Sequence, residues 1–367
     1  MAPGQRTPGV THRLCGKMPA PQGPLLHWKS LGSHGFGAVV TGLRPKDLEC
    51  PRLRRGLVDL WRGRKGLLVL RNLRLSREEL LDLTSAFGEV EEALAASRSK
   101  AQVMSTRQRT PKGVVMRLGN SRDPETGELN ASFTASAQLS TSSGTEVCRF
   151  DSTSRQPNWH TDATFRERPP TGSALYAVQV PPVGGDTCFA DASRALATLP
   201  EAQRKRLESL EAICSQAHHD ALHNVKKPGT YAAMSPEQRA KMPLMAVPLV
   251  LTHPKTKRKS LYGANSSVFL IHELNTPCPA DLLKRAEGPE AFEDPSVDRE
   301  LRSLLPHVTG PDFVVRWKWQ IGDVVIWDNR CTMHCATGFD HETYVREMWR
   351  TTFHDMSWQP PVRKVPR

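Results

Sequence analysis

The chain has 367 residues, 38% hydrophobic and 24% charged, an ordinary globular composition with enough length to bury a core without staples. Its longest apolar runs, such as 66–70 and 324–327, fall far short of the ~18 residues a transmembrane helix needs, so a helical membrane protein is excluded. Fifty Lys and Arg against 38 Asp and Glu give a formal charge of +12, which raises the question of a polyanionic partner.

The excess lies in the first third of the chain. Residues 1–46 hold six basic and no acidic groups, 51–77 hold nine basic groups against Asp59, and 98–122 hold seven and no acid. The remainder is net acidic. Nucleic-acid recognition needs interleaved aromatics or a known module. These stretches offer only Trp28, Phe36 and Trp61, with no zinc-finger, RNP-type or GxxG pattern in a fitting context. Basic helix faces and a flexible basic tail over 1–29 are expected instead, and nucleic acid is not. Residues 1–29 lack an apolar h-region, so no secretory signal is read there. An organelle-targeting segment is the alternative reading of this acid-free stretch. The cysteines at 15, 50, 148, 188, 214, 278, 331 and 335 are scattered without a CxxC, the usage of mostly reduced thiols and a cytoplasmic protein.

In chain order, a strand is expected at 37–40. Helices at 53–62 and 77–87 then flank a buried strand at 66–70, and Ser76 with Glu79 forms a capping box. Residues 98–157, rich in Ser, Thr, Arg and Gly, read as a variable lid or insertion with one strand at 113–118. From 158 onward short strands alternate with Pro/Gly turns. Strands are expected at 173–180, 187–190, 244–251, 259–262, 313–319, 323–327 and 345–353. A helix capped by Asp191 or Ser193 runs to 199, and another spans 200–214. Period-two alternation in 315–319 and 346–350 marks half-exposed strands. No repeat is visible. The expected fold is mainly β with flanking helices: a double-stranded β-helix (jelly roll, cupin-like) core with a helical N-terminal layer. It would form a single domain over 30–357, followed by a C-terminal tail over 358–367.

The chemistry concentrates at His160-Thr161-Asp162. A His and a carboxylate two apart, completed by a distant His, give three ligands on one face of a metal and leave the other face open. That is the ligand set of non-haem Fe(II) oxygenases. The triplet alone is weak, and His218-His219-Asp220 repeats it by chance in a stretch read as a solvated loop. His334, in WDNRCTMH and between two strands, has the setting of the distal ligand. His272, His307, His341 and His354 are read as surface or packing residues. Cys331, His334 and Cys335 lie close together but lack a second ligand pair, so no structural zinc is expected. Arg346 and Arg350, four apart on one strand, share a face with Met348 between them.

Residues 158–353 resemble the taurine/2,4-dichlorophenoxyacetate dioxygenases, which depend on Fe(II) and 2-oxoglutarate. The blocks that carry the resemblance are NWHTDATF (158–165), PPTGSALYA (169–177), PPVGGDT (181–187), PLVLTHPKTKRKSLY (248–262), RWKWQIGDVVIWDNR (316–330) and REMWRTTF (346–353). LGSHGFGAVVTGL (31–43) extends it forward. The resemblance implies iron ligands at His160, Asp162 and His334. It implies 2-oxoglutarate binding by Arg346 with Thr187, and an acidic substrate group held by Arg350, with Asn158 beside it. Halogenating relatives replace the carboxylate of the triplet, so Asp162 implies hydroxylation. O2 is the second cosubstrate and ascorbate a possible reductant. Ser266-Ser267 stands about where the taurine enzymes place a Phe, with Phe269 near, so taurine itself is not expected. The packing role is favoured for Trp159, and Asp328 is a candidate support for the ligands. The expected activity is hydroxylation of an unactivated C–H of a small, anionic carboxylate or sulfonate, with release of succinate and CO2. The same chemistry on a nucleobase or natural-product intermediate, and a non-catalytic polyanion-binding protein on this scaffold, are the alternatives. A homo-oligomer is left open.

Overall fold

In the computed structural model, which describes residues 26–91, 107–110, 112–122, 127, 149–150, 158–226, 234–265, 267–287 and 292–366, one large sheet carries the architecture. Its strand order is His27–Ser30, Ala38–Thr41, Leu67–Leu70, Val324–Asp328, Gly172–Gln179, Glu347–His354, Gly113–Gly119 and Arg107–Thr110. Glu89–Val90 pairs with the end of Glu347–His354. All pairs are antiparallel except Ala38–Thr41 with Leu67–Leu70.

Period-two geometry gives this sheet two buried faces. Leu67, Val69, Leu175, Ala177, Val325, Trp327 and Met348 pack on one side, against Phe189, Val315 and Trp317. Those three come from a smaller sheet ordered Val314–Trp317, Thr187–Asp191, Thr332–Ala336. On the other side Leu68, Leu70, Ala174, Tyr176, Val324 and Ile326 pack against two helices. The first, Pro51–Gly63, opens with Pro at its first position and buries Leu53, Leu57, Val58 and Trp61 as one stripe. The second, Arg77–Ser85, carries the Ser76/Glu79 capping box. Trp61 seats edge-on against Phe87 and Phe353 at centroid distances of 5.4 and 5.8 Å. The strands at 66–70 and 323–327 read as continuous apolar runs because both of their faces are covered.

A four-stranded sheet, Val268–Glu273, Leu210–Cys214, Met245–Pro248, Arg363–Lys364, and a hairpin of Val250–Thr252 with Lys259–Leu261 complete the described strands. Several expectations change here. The helix expected over 200–214 ends at Glu208, and Leu210–Cys214 is a fully buried strand between two partners. Pairing on both edges overrides the helix propensity of Leu, Glu and Ala. The triplet at 218–220 lies in the helix Gln216–Lys226, not in a loop. Ser215 Oγ accepts from the His218 amide at 3.2 Å and starts that helix. Residues 358–366 are no tail: Arg363–Lys364 pairs with Met245–Ala246, and Trp358 and Val365 are buried. Residues 1–25 and most of the 98–157 segment lie outside the described residues. Cys50, Cys214, Cys278, Cys331 and Cys335 are free thiols, whereas Cys188 is disulfide-bonded. Among the described residues no helix is long and apolar enough to cross a membrane.

Candidate metal centre

Three segments far apart in sequence meet at one end of the space between the two sheets. Thr332–Ala336 pairs with Thr187–Asp191, so that His334 stands opposite Phe189. The chain at His160 then lies along the free edge of Thr332–Ala336. His160 and His334 exchange two backbone hydrogen bonds of 3.0 Å, and their rings stand 4.2 Å apart. This two-bond bridge fixes both histidines, and Asp162 follows two residues later.

His160 Nε2 and His334 Nε2 lie 3.7 and 3.6 Å from the same oxygen of Asp162, Oδ1. The three donor atoms all lie within 4.8 Å of one another. His160 Nδ1 stands 2.9 Å from the Asn158 carbonyl, which can only accept, so the proton sits on Nδ1 and the Nε2 lone pair faces Asp162. Burial, and then the neighbouring His160, push the His334 pKa down to about 3, which keeps that ring neutral. Two imidazoles turning Nε2 to one oxygen, and the ionised carboxylate that carries it, form a donor set that fits a divalent metal.

The other oxygen of Asp162 faces a different partner. Arg350 Nη2 donates to Oδ2 at 2.6 Å, and Ser173 Oγ lies 3.3 Å from the same atom and accepts from Arg350 Nη2 at 3.0 Å. Burial alone would raise the Asp162 pKa. The Arg350 guanidinium reverses this and holds the carboxyl well below its usual range. Ser173 was not singled out from sequence. Its signal was parity, since Ser173 shares a face with Leu175 and Ala177, the face turned to the smaller sheet.

Of the other expected residues, Thr187 begins a strand of the smaller sheet and Arg346 immediately precedes a strand of the large one. Arg346 is buried and donates from Nε to the Gly185 carbonyl at 3.0 Å. No carboxylate among the described residues pairs with it. Burial lowers its pKa to about 10, and Asp186 works the other way. Thr187 Oγ1 accepts from the Trp319 indole at 3.0 Å, which leaves the hydroxyl proton to donate elsewhere. Asn158 contributes its backbone carbonyl rather than its side chain to the contact with His160. Trp159 is buried in a cluster with Cys188, Ala190 and Met333, and Phe269 lies among Ile213, Leu244 and Ala246.

A second trio, His253, Asp328 and Cys331, also has its donor atoms within reach of one point. His253 Nδ1 accepts from the amides of Lys255 and Thr256 at 3.2 and 3.1 Å, so Nε2 carries the proton and donates to Asp328 Oδ2 at 3.1 Å. Asp328 also holds Arg330 through two bonds of 2.8 Å. Burial keeps the Cys331 thiol protonated far above neutral pH. Every lone pair a metal would need is in use, and this trio is a structural network.

Residues 28–352 match the model of the taurine catabolism dioxygenase TauD, TfdA family. The chain belongs to this family. Its similarity to an alpha-ketoglutarate-dependent 2,4-dichlorophenoxyacetate dioxygenase of Burkholderia sp. (strain RASC) is 36% identity over 195 residues, 53% of this chain and 57% of that protein. The chain thus spans about three fifths of the length of the curated relatives matched at such identity. A longer match, 27% identity over 323 residues, covers 86% of this family member and 91% of the (S)-phenoxypropionate/alpha-ketoglutarate-dioxygenase of Sphingobium herbicidovorans. The crystal structure of AAD-2 in complex with Mn(II) and N-oxalylglycine shares the fold, with a TM-score of 0.61 at 23% identity over 90% of this chain and 97% of that one.

Proposed function

We propose that this protein is an Fe(II)- and 2-oxoglutarate-dependent dioxygenase that hydroxylates an unactivated C–H of a small carboxylate, sulfonate or similar anion, releasing succinate and CO2. One observation carries the reading: Asp162 divides its two oxygens, Oδ1 toward two imidazole Nε2 atoms and Oδ2 toward a guanidinium. A structural ion pair would not need two histidines with free lone pairs aimed at the same oxygen.

His160 Nε2, Asp162 Oδ1 and His334 Nε2 would hold the iron. Once bound, iron supplies the O2 chemistry in which 2-oxoglutarate loses CO2 and the substrate gains a hydroxyl. The chain's own residues bind and orient. Arg346, with no carboxylate partner among the described residues, takes the far carboxylate of 2-oxoglutarate, and the Thr187 hydroxyl donates to it. Arg350 stays anchored to Asp162 through Nη2 and offers its remaining donors to the substrate anion. Phe189 and Trp327, with ring centroids 6.2 and 4.8 Å from His334, keep water from that ligand's side of the site. The anionic character of the relatives' named substrates, a phenoxyacetate and a phenoxypropionate, agrees with this use of Arg350. The two facing sheets support a double-stranded β-helix as the core, with the Pro51–Gly63 and Arg77–Ser85 helices as its outer layer, in one catalytic domain.

The test is succinate release by metal-free protein reconstituted with Fe(II), ascorbate and 2-oxoglutarate. Slow release without substrate and stimulated release with a fitting anion are expected, and both vanish in His160→Ala and Asp162→Ala. Undiminished succinate formation in the two variants would overturn the ligand assignment.

A further inference from the structure

Away from the metal centre, a pocket of about 740 Å³ opens between two short helices, Ala192–Ala197 and Glu201–Glu208, and the tip of the 250–261 hairpin. Its wall is markedly cationic. Lys65, Arg194, Arg204, Lys205, Arg258 and Lys259 all line it, against only Glu201 and Glu208.

The pairing inside the wall decides how much of that charge is free. Lys205 is matched by Glu201 at 2.7 Å, Lys259 by Glu208 at 2.6 Å, and Lys65 by Asp191 at 2.6 Å. The three arginines have no carboxylate among the described residues. Arg194 is anchored by the Asp312 carbonyl at 3.0 Å and by the Phe313 ring, 5.2 Å beneath its guanidinium carbon. Arg204 is anchored by the carbonyls of Ala197 and Leu199 at 3.1 and 2.6 Å. Neutral anchors orient these forks without cancelling their charge. Arg258 is exposed and has no partner among the described residues. Three uncompensated guanidinium groups therefore border one concavity, and between them lie Leu196 and Ala197.

We propose that this pocket is a second ligand site, for an organic molecule carrying two or more phosphoryl charges on an apolar or aromatic body. Guanidinium forks match phosphoryl oxygens bidentately. The volume is that of a drug-sized ligand, well beyond a bare phosphate ion. Ala197, exposed on the wall, gives the uncharged part of the ligand a surface to lie on. The site shares no residue with the metal centre, so it stands whether or not the dioxygenase reading holds.

The test uses the full chain, with calorimetric titration of adenosine diphosphate and of inorganic pyrophosphate, and with Arg258→Glu and Arg194→Gln as variants. Saturable binding is expected for both probes, tighter for adenosine diphosphate because it adds a ring to the same charge. Each variant should weaken both at least tenfold. Succinate release without probe should be unchanged in Arg258→Glu, which also shows that the variant is folded. Absence of saturable binding, equal affinity in variants and parent, or displacement by sulfate at equal concentration would each overturn the proposal. So would preferential binding of single-stranded RNA over adenosine diphosphate, since that would make the wall part of an extended polyanion surface.

Discussion

Asp162 sits where a carboxylate is costly, buried beside two imidazoles. Arg350 makes it tolerable, and Ser173 sets the angle between them by touching both. The pair therefore has two duties: it keeps Oδ1 ionised toward the histidines, and it holds one edge of the guanidinium so that the rest can meet an anion. Ser173→Ala removes a hydrogen bond to a charged group, a loss of about 1.5–3 kcal/mol, or roughly ten- to 150-fold. That loss should appear as a raised KM for the anionic substrate, with the KM for 2-oxoglutarate unchanged. Arg346→Lys keeps charge but loses the fork, and should do the reverse, raising the 2-oxoglutarate KM at least tenfold while sparing that of the substrate. If both variants shifted both constants alike in steady-state assays, the separate duties of Arg346 and Arg350 would be lost.

Placement of these side chains depends on close contacts between strands. Gly172 begins the strand that carries Ser173, and a Cβ there would stand 2.3 Å from the Trp327 carbonyl and 2.4 Å from Phe353 Cζ. Both are fixed, one as backbone and one in the ring cluster with Trp61 and Phe87. Gly172→Ala should therefore destabilise by about 3 kcal/mol, the upper end of overpacking costs, read as a lowered urea midpoint; an unchanged midpoint would mean that the strand edge yields. The sequence shows the Gly172–Gln179 strand but not this constraint, which exists only once three strands are side by side. The same distinction separates what was legible in the site from what was not. His160, Asp162 and His334 could be found because the chemistry restricts residue type and setting. The strand Thr332–Ala336 that presents His334 could not, because Thr-Met-His-Cys-Ala has neither alternation nor an apolar run: four of its five residues are buried, polar and apolar alike. Leu210–Cys214 was misread for a related reason, since its helix-favouring residues are overruled by partners that come from residues 245–248 and 268–273. Ser173 needed both the strand and the inward face to be known before its hydroxyl had meaning.

At the scale of the molecule, carboxylates held below their usual pKa stitch distant segments together. Arg330, 2% exposed, joins Asp328 to Asp355 near the chain's end, and Asp328 in turn holds His253. Glu293 pairs with Arg302 and has His218 Nε2 3.9 Å away, so it links the 302–304 helical turn to the 216–226 helix. Burial alone would raise the Glu293 pKa, but the Arg302 guanidinium hydrogen-bonded to it, with His218 near, brings it from 4.5 down to about 2. The sign follows from which state binds protons first. As pH falls, the unfolded chain protonates Glu293 near its ordinary pKa while the folded chain still holds it ionised. The stabilisation is thus fully present above about pH 4.5 and is lost between there and about pH 2; its size is about 3 kcal/mol. Urea midpoints of metal-free protein should fall steeply from pH 5 to pH 3, with Asp328, held low by Arg330, contributing in the same direction. Glu293→Gln keeps the shape but removes the charge, so it should start less stable at neutral pH and lose less on acidification. Parallel curves for parent and variant would show that the pairing of Glu293 with Arg302 and His218 contributes nothing to acid stability.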